Sequence, residues 1–152
     1  MEAHTYEVDL AWQHDRLGKL SSPVLRQTLE VATPPEFPKG MPGIWSPEHL
    51  LVAAVSSCLM TTFLAIAENS KLAFEQFDCR AVGTLETVEG RWMVSEVRLF
   101  PTVVVAHPND LEKAGRVLAK AEKACLISNS VRSQITMNPV FQTAVLSDSN
   151  PL

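Results

Sequence analysis

Three cysteines are the residues of this chain best suited to covalent chemistry, and they lie far apart, at positions 58, 79 and 125. A thiolate attacks a peroxide to give a sulfenic acid, and a second thiol within reach condenses with that sulfenic acid to a disulfide. The wide spacing matches neither the close cysteine pairs of a zinc site nor the disulfide framework of a small secreted domain. It is typical of free thiols in the cytosol, where a disulfide that forms is more often catalytic than structural.

Cys58 lies in the middle of a long uncharged segment, residues 50–67. Ser46, Pro47 and Glu48 precede it as a helix-start signature of hydroxyl cap, first-position proline and first-turn acid. The pattern predicts a helix over 46–68 that is apolar all round and belongs inside a core. The segment reaches the lower limit of about 17 residues for a membrane span. Because four hydroxyls interrupt it and no Lys or Arg cluster flanks it, we do not expect it to cross a membrane.

Cys125 is the last member of an apolar stripe at helical spacing, formed by Leu111, Ala114, Leu118, Ala121 and Cys125. The stripe predicts a second helix that opens at 108–110, with Asn109 as its cap. Since both helices must pack on one small core, Cys58 and Cys125 could meet as a redox pair, or they could be two buried space-fillers. Cys79 shares a predicted strand face with Phe77 and Ala81, and we expect it to pack as a small apolar residue.

The remaining elements predict an α+β fold in one domain over residues 1–152. Residues 4–13 and 24–32 alternate as two strands of a hairpin with a turn at 15–18 and Arg16 at its tip. A loop rich in Pro and Gly, residues 33–47, leads into the first helix. Strands over 76–88 and 92–105 form a second hairpin, 134–146 carries a last strand, and the tail 147–152 is expected to fray.

The net charge of −4 and the pI near 5.5 argue against nucleic acid and anionic membranes as partners, since both need a clustered basic face. We therefore expect a small apolar or neutral substrate. The four histidines, His4, His14, His49 and His107, have no ligand spacing with carboxylates or cysteines, so we expect neither a metal site nor a cofactor. The first ten residues lack a basic segment followed by an apolar one, so we expect no secretory leader and a cytoplasmic protein.

The strings SPEHLLVAAVSSCLM and AEKACLISNS resemble the two cysteine motifs of the OsmC and organic hydroperoxide resistance (Ohr) family. The resemblance runs from residue 6 to about 145 and implies antiparallel sheets wrapped around two long central helices in an intertwined homodimer. It implies a thiol peroxidase in which Cys58 attacks the peroxide and Cys125 resolves the oxidised sulfur. By the same match Glu48 is the family's glutamate and Arg16 its arginine, whereas Leu126 stands where many members have proline.

A thiol in mid-helix gains nothing from the helix dipole, and burial raises its pKa, so Cys58 needs another source of activation. We expect the Arg16 guanidinium to supply it and Glu48 to orient Arg16 through a bidentate pair. Glu48 and Cys58 lie roughly 15 Å apart along an unbroken helix. If both serve one site, Glu48 must come from a second subunit whose central helix runs antiparallel.

The sequence thus predicts a homodimeric peroxidase that reduces a small organic hydroperoxide and is returned to its dithiol form by a dithiol reductant. A lipoyl-type reductant is what the resemblance implies. The predicted walls of the substrate pocket are Phe37, Met41, Trp45 and His49. The alternative from another class is a non-catalytic dimer that binds a small apolar ligand or senses oxidants through the same cysteines.

Overall fold

The computed structural model describes residues 1–144 and divides the chain into two compact units, Met1–Leu50 and Leu51–Leu152. The predicted tail at 147–152 and the end of the predicted last strand, 145–146, lie outside the described residues. The single domain expected over 1–152 stays a prediction.

The first unit contains a three-stranded antiparallel sheet with the strand order β1-β2-β3. Its strands are β1 (Asp9–His14), β2 (Leu17–Ser21) and β3 (Leu29–Ala32). The predicted hairpin was therefore wrong in its second strand, because β1 pairs with β2 and not with residues 24–32. The reason is a tight turn: Asp15 adopts a φ of 49°, so two residues suffice to reverse the chain. Arg16 occupies that turn, as predicted.

The long helix α1 (Pro47–Asn69) begins one residue after the start predicted from the sequence. Ser46 caps it as expected, because the His49 backbone N–H donates to the Ser46 Oγ at 3.1 Å. The preceding loop contains turns but no named helix or strand between Ala32 and Pro47. By length and composition α1 could cross a membrane. Four of its side chains are instead buried in the core of the second unit, namely Val55, Leu59, Phe63 and Ala67.

The second unit builds a mixed sheet behind α1. Its elements are β4 (Gln76–Val88), β5 (Arg91–Val105), α2 (Leu111–Ala124), β6 (Gln134–Met137) and β7 (Val140–Thr143). The β4–β5 hairpin is confirmed; Glu89 and Gly90 both have positive φ, as a two-residue hairpin turn requires. The sheet is mixed, because β6 and β7 both pair with β5 in parallel whereas β4 pairs with it antiparallel. The prediction of a single last strand was wrong. The strand is interrupted at Pro139, which has no N–H for a ladder, so β6 and β7 are separate.

The core of the second unit lies between α1, α2 and β5. On α2 the buried side chains are Ala114, Val117, Leu118 and Ala121, and on β5 they include Val97, Leu99, Val103 and Val105. The ring centroid of Phe63 lies 5.1 Å from that of Phe74, in an edge-to-face contact, and 4.8 Å from that of Phe77. Helices packed on a twisted sheet make the α+β class that the sequence predicted.

The ends of α2 differ from the prediction in two ways. Asn109 lies in a short 3-10 turn, and the N-cap is Asp110, which makes no side-chain cap bond. The helix ends at Ala124, so Cys125 is its C-cap with an extended ψ of 116° and not a helical residue. Asn109 is therefore not the cap of α2. Because the helix stops before Cys125, the backbone after Cys125 can turn towards α1.

Candidate active site

The side chains of Cys58 and Cys125 are hydrogen-bonding neighbours in the second unit. Cys58 projects from the middle of α1 and is half-buried, while Cys125 is 1% exposed at the end of α2. Both are free thiols. The structure therefore brings together the two cysteines that the sequence singled out.

A tight turn follows Cys125 and holds its backbone. The Asn129 N–H donates to the Cys125 carbonyl at 3.1 Å, and the Ser130 N–H donates to the Ile127 carbonyl at 2.9 Å. The Ser130 hydroxyl also bonds the Leu126 carbonyl at 2.8 Å. With these three carbonyls engaged inside the turn, the peptide planes of residues 125–127 are fixed.

The pKa of the Cys58 thiol is lowered from 9.0 even though the side chain is partly buried. Burial is the largest single influence and raises the pKa, because it disfavours the charged form. The Ile127 backbone N–H, the Cys125 thiol, the Thr62 hydroxyl and the Leu126 backbone N–H all bond the sulfur and together outweigh burial. The Thr62 Oγ1 lies 3.9 Å from the Cys58 sulfur.

Sequence reasoning missed these backbone donors and expected a guanidinium to activate the thiol. One signal could have pointed to them: the residue after Cys125 is a leucine, and any residue other than proline has an N–H to donate. Arg16 itself belongs to the first unit, in the turn between β1 and β2.

The turn that carries Arg16 is braced and opens on two cavities of the first unit. The Trp12 indole N–H donates to the Asp15 carbonyl at 2.9 Å. One cavity of about 330 Å³ has mostly apolar walls, including Trp12 and Leu17, with Arg16 among its lining residues. A second cavity of about 350 Å³ is lined by Asp15, Arg16, Lys39 and Met41. Arg16 is thus an exposed cation at the edge of the mostly apolar cavity.

Glu48 stands in the first turn of α1 with its Oε1 atom buried and without a hydrogen-bond partner among residues 1–144. Within the same residues neither Glu48 nor Arg16 forms an ion pair. The Glu48–Arg16 pair expected from the sequence is therefore not formed inside one chain. The version in which the two residues meet across subunits stays a prediction.

A common pocket walled by Phe37, Met41, Trp45 and His49 stays a prediction. Trp45 and His49 line a cavity of about 420 Å³ in the first unit, and their rings meet edge to face at 6.1 Å. The His49 Nδ1 lies 2.7 Å from the buried Ser46 hydroxyl. Met41 belongs to the cavity beside Arg16, and Phe37 is a half-buried residue of the intervening loop.

No group of three or more His, Cys, Asp or Glu side chains within residues 1–144 could hold a metal ion. In the second unit, backbone amides and one hydroxyl surround the sulfur of Cys58 beside the Cys125 thiol. Such an arrangement suits thiolate attack followed by disulfide closure.

The second unit of this α+β protein holds two neighbouring cysteines. A model described as OsmC-like protein matches residues 40–139, a range that holds Glu48, Cys58 and Cys125. The chain belongs to the OsmC-like protein family.

Individual relatives are distant in sequence and similar in structure. YmaD, an uncharacterised protein of Bacillus subtilis, is 24% identical over 145 residues, which cover 90% of this chain and 93% of YmaD. An OsmC-like protein of unknown function from Vibrio cholerae superposes with a TM-score of 0.81 at 24% identity, covering 91% of this chain and 100% of that one. An organic hydroperoxide resistance protein from Elizabethkingia anophelis gives 0.74 at 21% identity, with 93% and 98% covered. These structural likenesses establish the fold.

Proposed function

We propose that this chain is a cysteine-based thiol peroxidase that reduces organic hydroperoxides through a Cys58–Cys125 disulfide cycle. The single observation that carries the proposal is a half-buried sulfur with a lowered pKa facing a second free thiol. Family membership supports it, as does the likeness to a protein named for organic hydroperoxide resistance.

The cycle has one oxidising step, one condensation and one reducing step. The Cys58 thiolate attacks the terminal oxygen of the hydroperoxide, a sulfur–oxygen bond forms, the oxygen–oxygen bond breaks, and the alcohol leaves after taking a proton. The Cys125 thiol then attacks the Cys58 sulfenic acid and releases water as the disulfide forms. An external dithiol, lipoyl-type by family resemblance, reduces the disulfide through a mixed disulfide and leaves oxidised.

A homodimer and a cytoplasmic location belong to the same proposal. Apolar side chains of both units are exposed in one chain, including Trp12 at 75% and Leu64 at 41%. A second copy would cover such surface, since large exposed apolar patches mark association sites. It could also bring a guanidinium to the unpartnered Glu48 oxygen, and so complete an Arg16–Glu48 pair.

Turnover distinguishes the enzyme from a ligand-binding protein or an oxidant sensor. We expect the wild-type chain, given tert-butyl hydroperoxide and excess dihydrolipoamide, to consume many peroxide equivalents per site. The Cys125→Ser chain should consume one equivalent to form the sulfenic acid and a second to form the sulfinic acid at Cys58, which mass spectrometry detects, and then stop. Consumption that stops near one equivalent in the wild type, with dithiol still present, would mean a sensor.

A further inference from the structure

The two backbone amides that follow Cys125 both bond the Cys58 sulfur, and the turn fixes them from behind. A trans peptide points its C=O and its N–H in opposite directions. The plane that carries the Leu126 N–H ends in the Cys125 carbonyl, which accepts the Asn129 N–H at 3.1 Å. Holding that carbonyl on one side aims the Leu126 N–H to the other.

The next peptide plane is held in the same way. It carries the Ile127 N–H, and its carbonyl is that of Leu126, which accepts the Ser130 hydroxyl at 2.8 Å. Neither of the two N–H groups donates to a backbone carbonyl in the part of the chain that the structure describes. Both are therefore free for the sulfur across the gap to α1.

The side chain of Leu126 is largely exposed to solvent. It is 72% exposed, so packing does not require a leucine at this position. A residue other than proline supplies a backbone N–H here, which proline lacks.

We propose that the Leu126 and Ile127 amides form a two-donor cradle for the Cys58 thiolate and that Leu126, by not being proline, supplies one of the donors. The role in peroxide attack rests on the proposed function. Amide dipoles fixed by the fold stabilise a negative sulfur at no cost in reorganisation and without a cation. The cradle holds the thiolate until its electron pair moves into the new sulfur–oxygen bond.

The expected effect follows from two opposing influences. Loss of one hydrogen bond to a charged acceptor lowers the thiolate population by about tenfold. A thiolate of higher pKa is intrinsically more nucleophilic, which recovers about half of that loss on a logarithmic scale. The net result at a pH below the titration of the thiol is a rate about threefold lower.

The test compares Leu126→Pro with Leu126→Ala in the full chain. Both variants remove the leucine side chain, but only the proline variant removes the N–H. Each protein is treated with iodoacetamide at pH 6, and mass spectrometry follows the alkylation of the peptide that contains Cys58. We expect Leu126→Pro to react about threefold more slowly than wild type and Leu126→Ala to match wild type. Equal rates in all three proteins, or equal slowing in both variants, would overturn the cradle.

A second pair of variants decides the matter if circular dichroism shows that Leu126→Pro does not fold. Ser130→Ala releases the Leu126 carbonyl and loosens the plane that carries the Ile127 N–H, whereas Ser130→Thr keeps a hydroxyl. Slower alkylation in the alanine variant alone supports the cradle, and unchanged alkylation refutes it. Peroxide consumption is measured on the same samples. If the alkylation pattern holds but even the wild type consumes no peroxide, the cradle stands and the proposed function fails.

Discussion

Cys58 and Cys79 are both half-buried free thiols of the second unit, yet their pKa values depart from 9.0 in opposite directions. Burial raises the pKa of Cys79, and the Phe100 backbone bond that lowers it does not compensate. Burial acts on Cys58 as well, but four donors around its sulfur reverse the outcome. Two differences separate the thiols: more donors bond the Cys58 sulfur, and Cys79 is the more deeply buried of the two.

The elements that carry the two thiols explain the difference. Cys79 lies within the β4–β5 ladder, where neighbouring amides are engaged in pairing, and its own S–H contacts the Arg80 carbonyl at 3.6 Å. Cys58 faces a non-repetitive turn whose amides have no ladder to join. Irregular backbone beside a regular helix is thus what makes a reactive thiol possible in mid-helix, where the helix dipole gives no help.

Serine substitutions test the comparison most severely. We expect Cys58→Ser to lose peroxide consumption to background, at least about a thousandfold, because no other nucleophile starts the cycle. The matched control, Cys79→Ser, should retain the wild-type rate. Peroxide remaining after fixed times with excess dithiol measures both. A Cys58→Ser chain that still turns over, or a Cys79→Ser chain that does not, would reverse the assignment.

Arg16 offers the next largest effect, since it tests whether a cation adds to the backbone donors. We expect Arg16→Gln to lower kcat/KM for the hydroperoxide by roughly ten- to a hundredfold, as loss of one electrostatic stabiliser does. Arg26→Gln is the control, because Arg26 is an exposed arginine in the loop between β2 and β3. If both variants keep the wild-type kcat/KM, the amides and Thr62 suffice without the guanidinium.

The pH profile of alkylation should separate Cys58 from Cys79 in a single sample. Because the folded pKa of Cys58 is lowered, its thiolate already forms below pH 9, and its alkylation rate should rise at lower pH than that of a free cysteine. Cys79, with a raised pKa, should reach its half-maximal rate only above that point. Peptide mapping across a pH series gives both midpoints, and access to the thiol changes the plateau but not the midpoint. Coincident midpoints would contradict the opposite shifts.

Long, strongly patterned elements were predictable from the sequence. The uncharged run with its cap signature gave α1 to within one residue at each end, and alternation gave β4 and β5. The failures have physical causes. β2 was missed because Asp15 takes a left-handed φ, which Asp adopts more readily than most residues other than Gly, and this shortens the turn to two residues. The parallel pairing of β6 and β7 with β5 depends on contacts distant in sequence, which local patterns do not contain.

The candidate site, like the fold, could be predicted from the sequence only in part. Two cysteines on apolar stripes could be expected to meet, and they do. The source of activation could not be foreseen, because every residue except proline carries an N–H and only the turn geometry decides where it points. The partner of the Glu48 oxygen could not be predicted for a related reason, because tertiary or quaternary structure sets its position.

Two adjacent threonines give the smallest and most selective test. The Thr62 hydroxyl lies 3.9 Å from the Cys58 sulfur, whereas the Thr61 hydroxyl donates to the Cys58 backbone carbonyl at 3.2 Å. Both belong to α1 and both reach the same residue, but only Thr62 contacts the reacting atom. Valine keeps the shape and β-branching of threonine and removes the hydroxyl in either case. We expect Thr62→Val to slow Cys58 alkylation at pH 6 by about twofold, since a long contact to sulfur is worth less than an amide bond. Thr61→Val should leave the rate unchanged. If the two variants slow the reaction equally, the helix backbone and not the sulfur contact is responsible, and Thr62 drops out of the set that distinguishes Cys58 from Cys79.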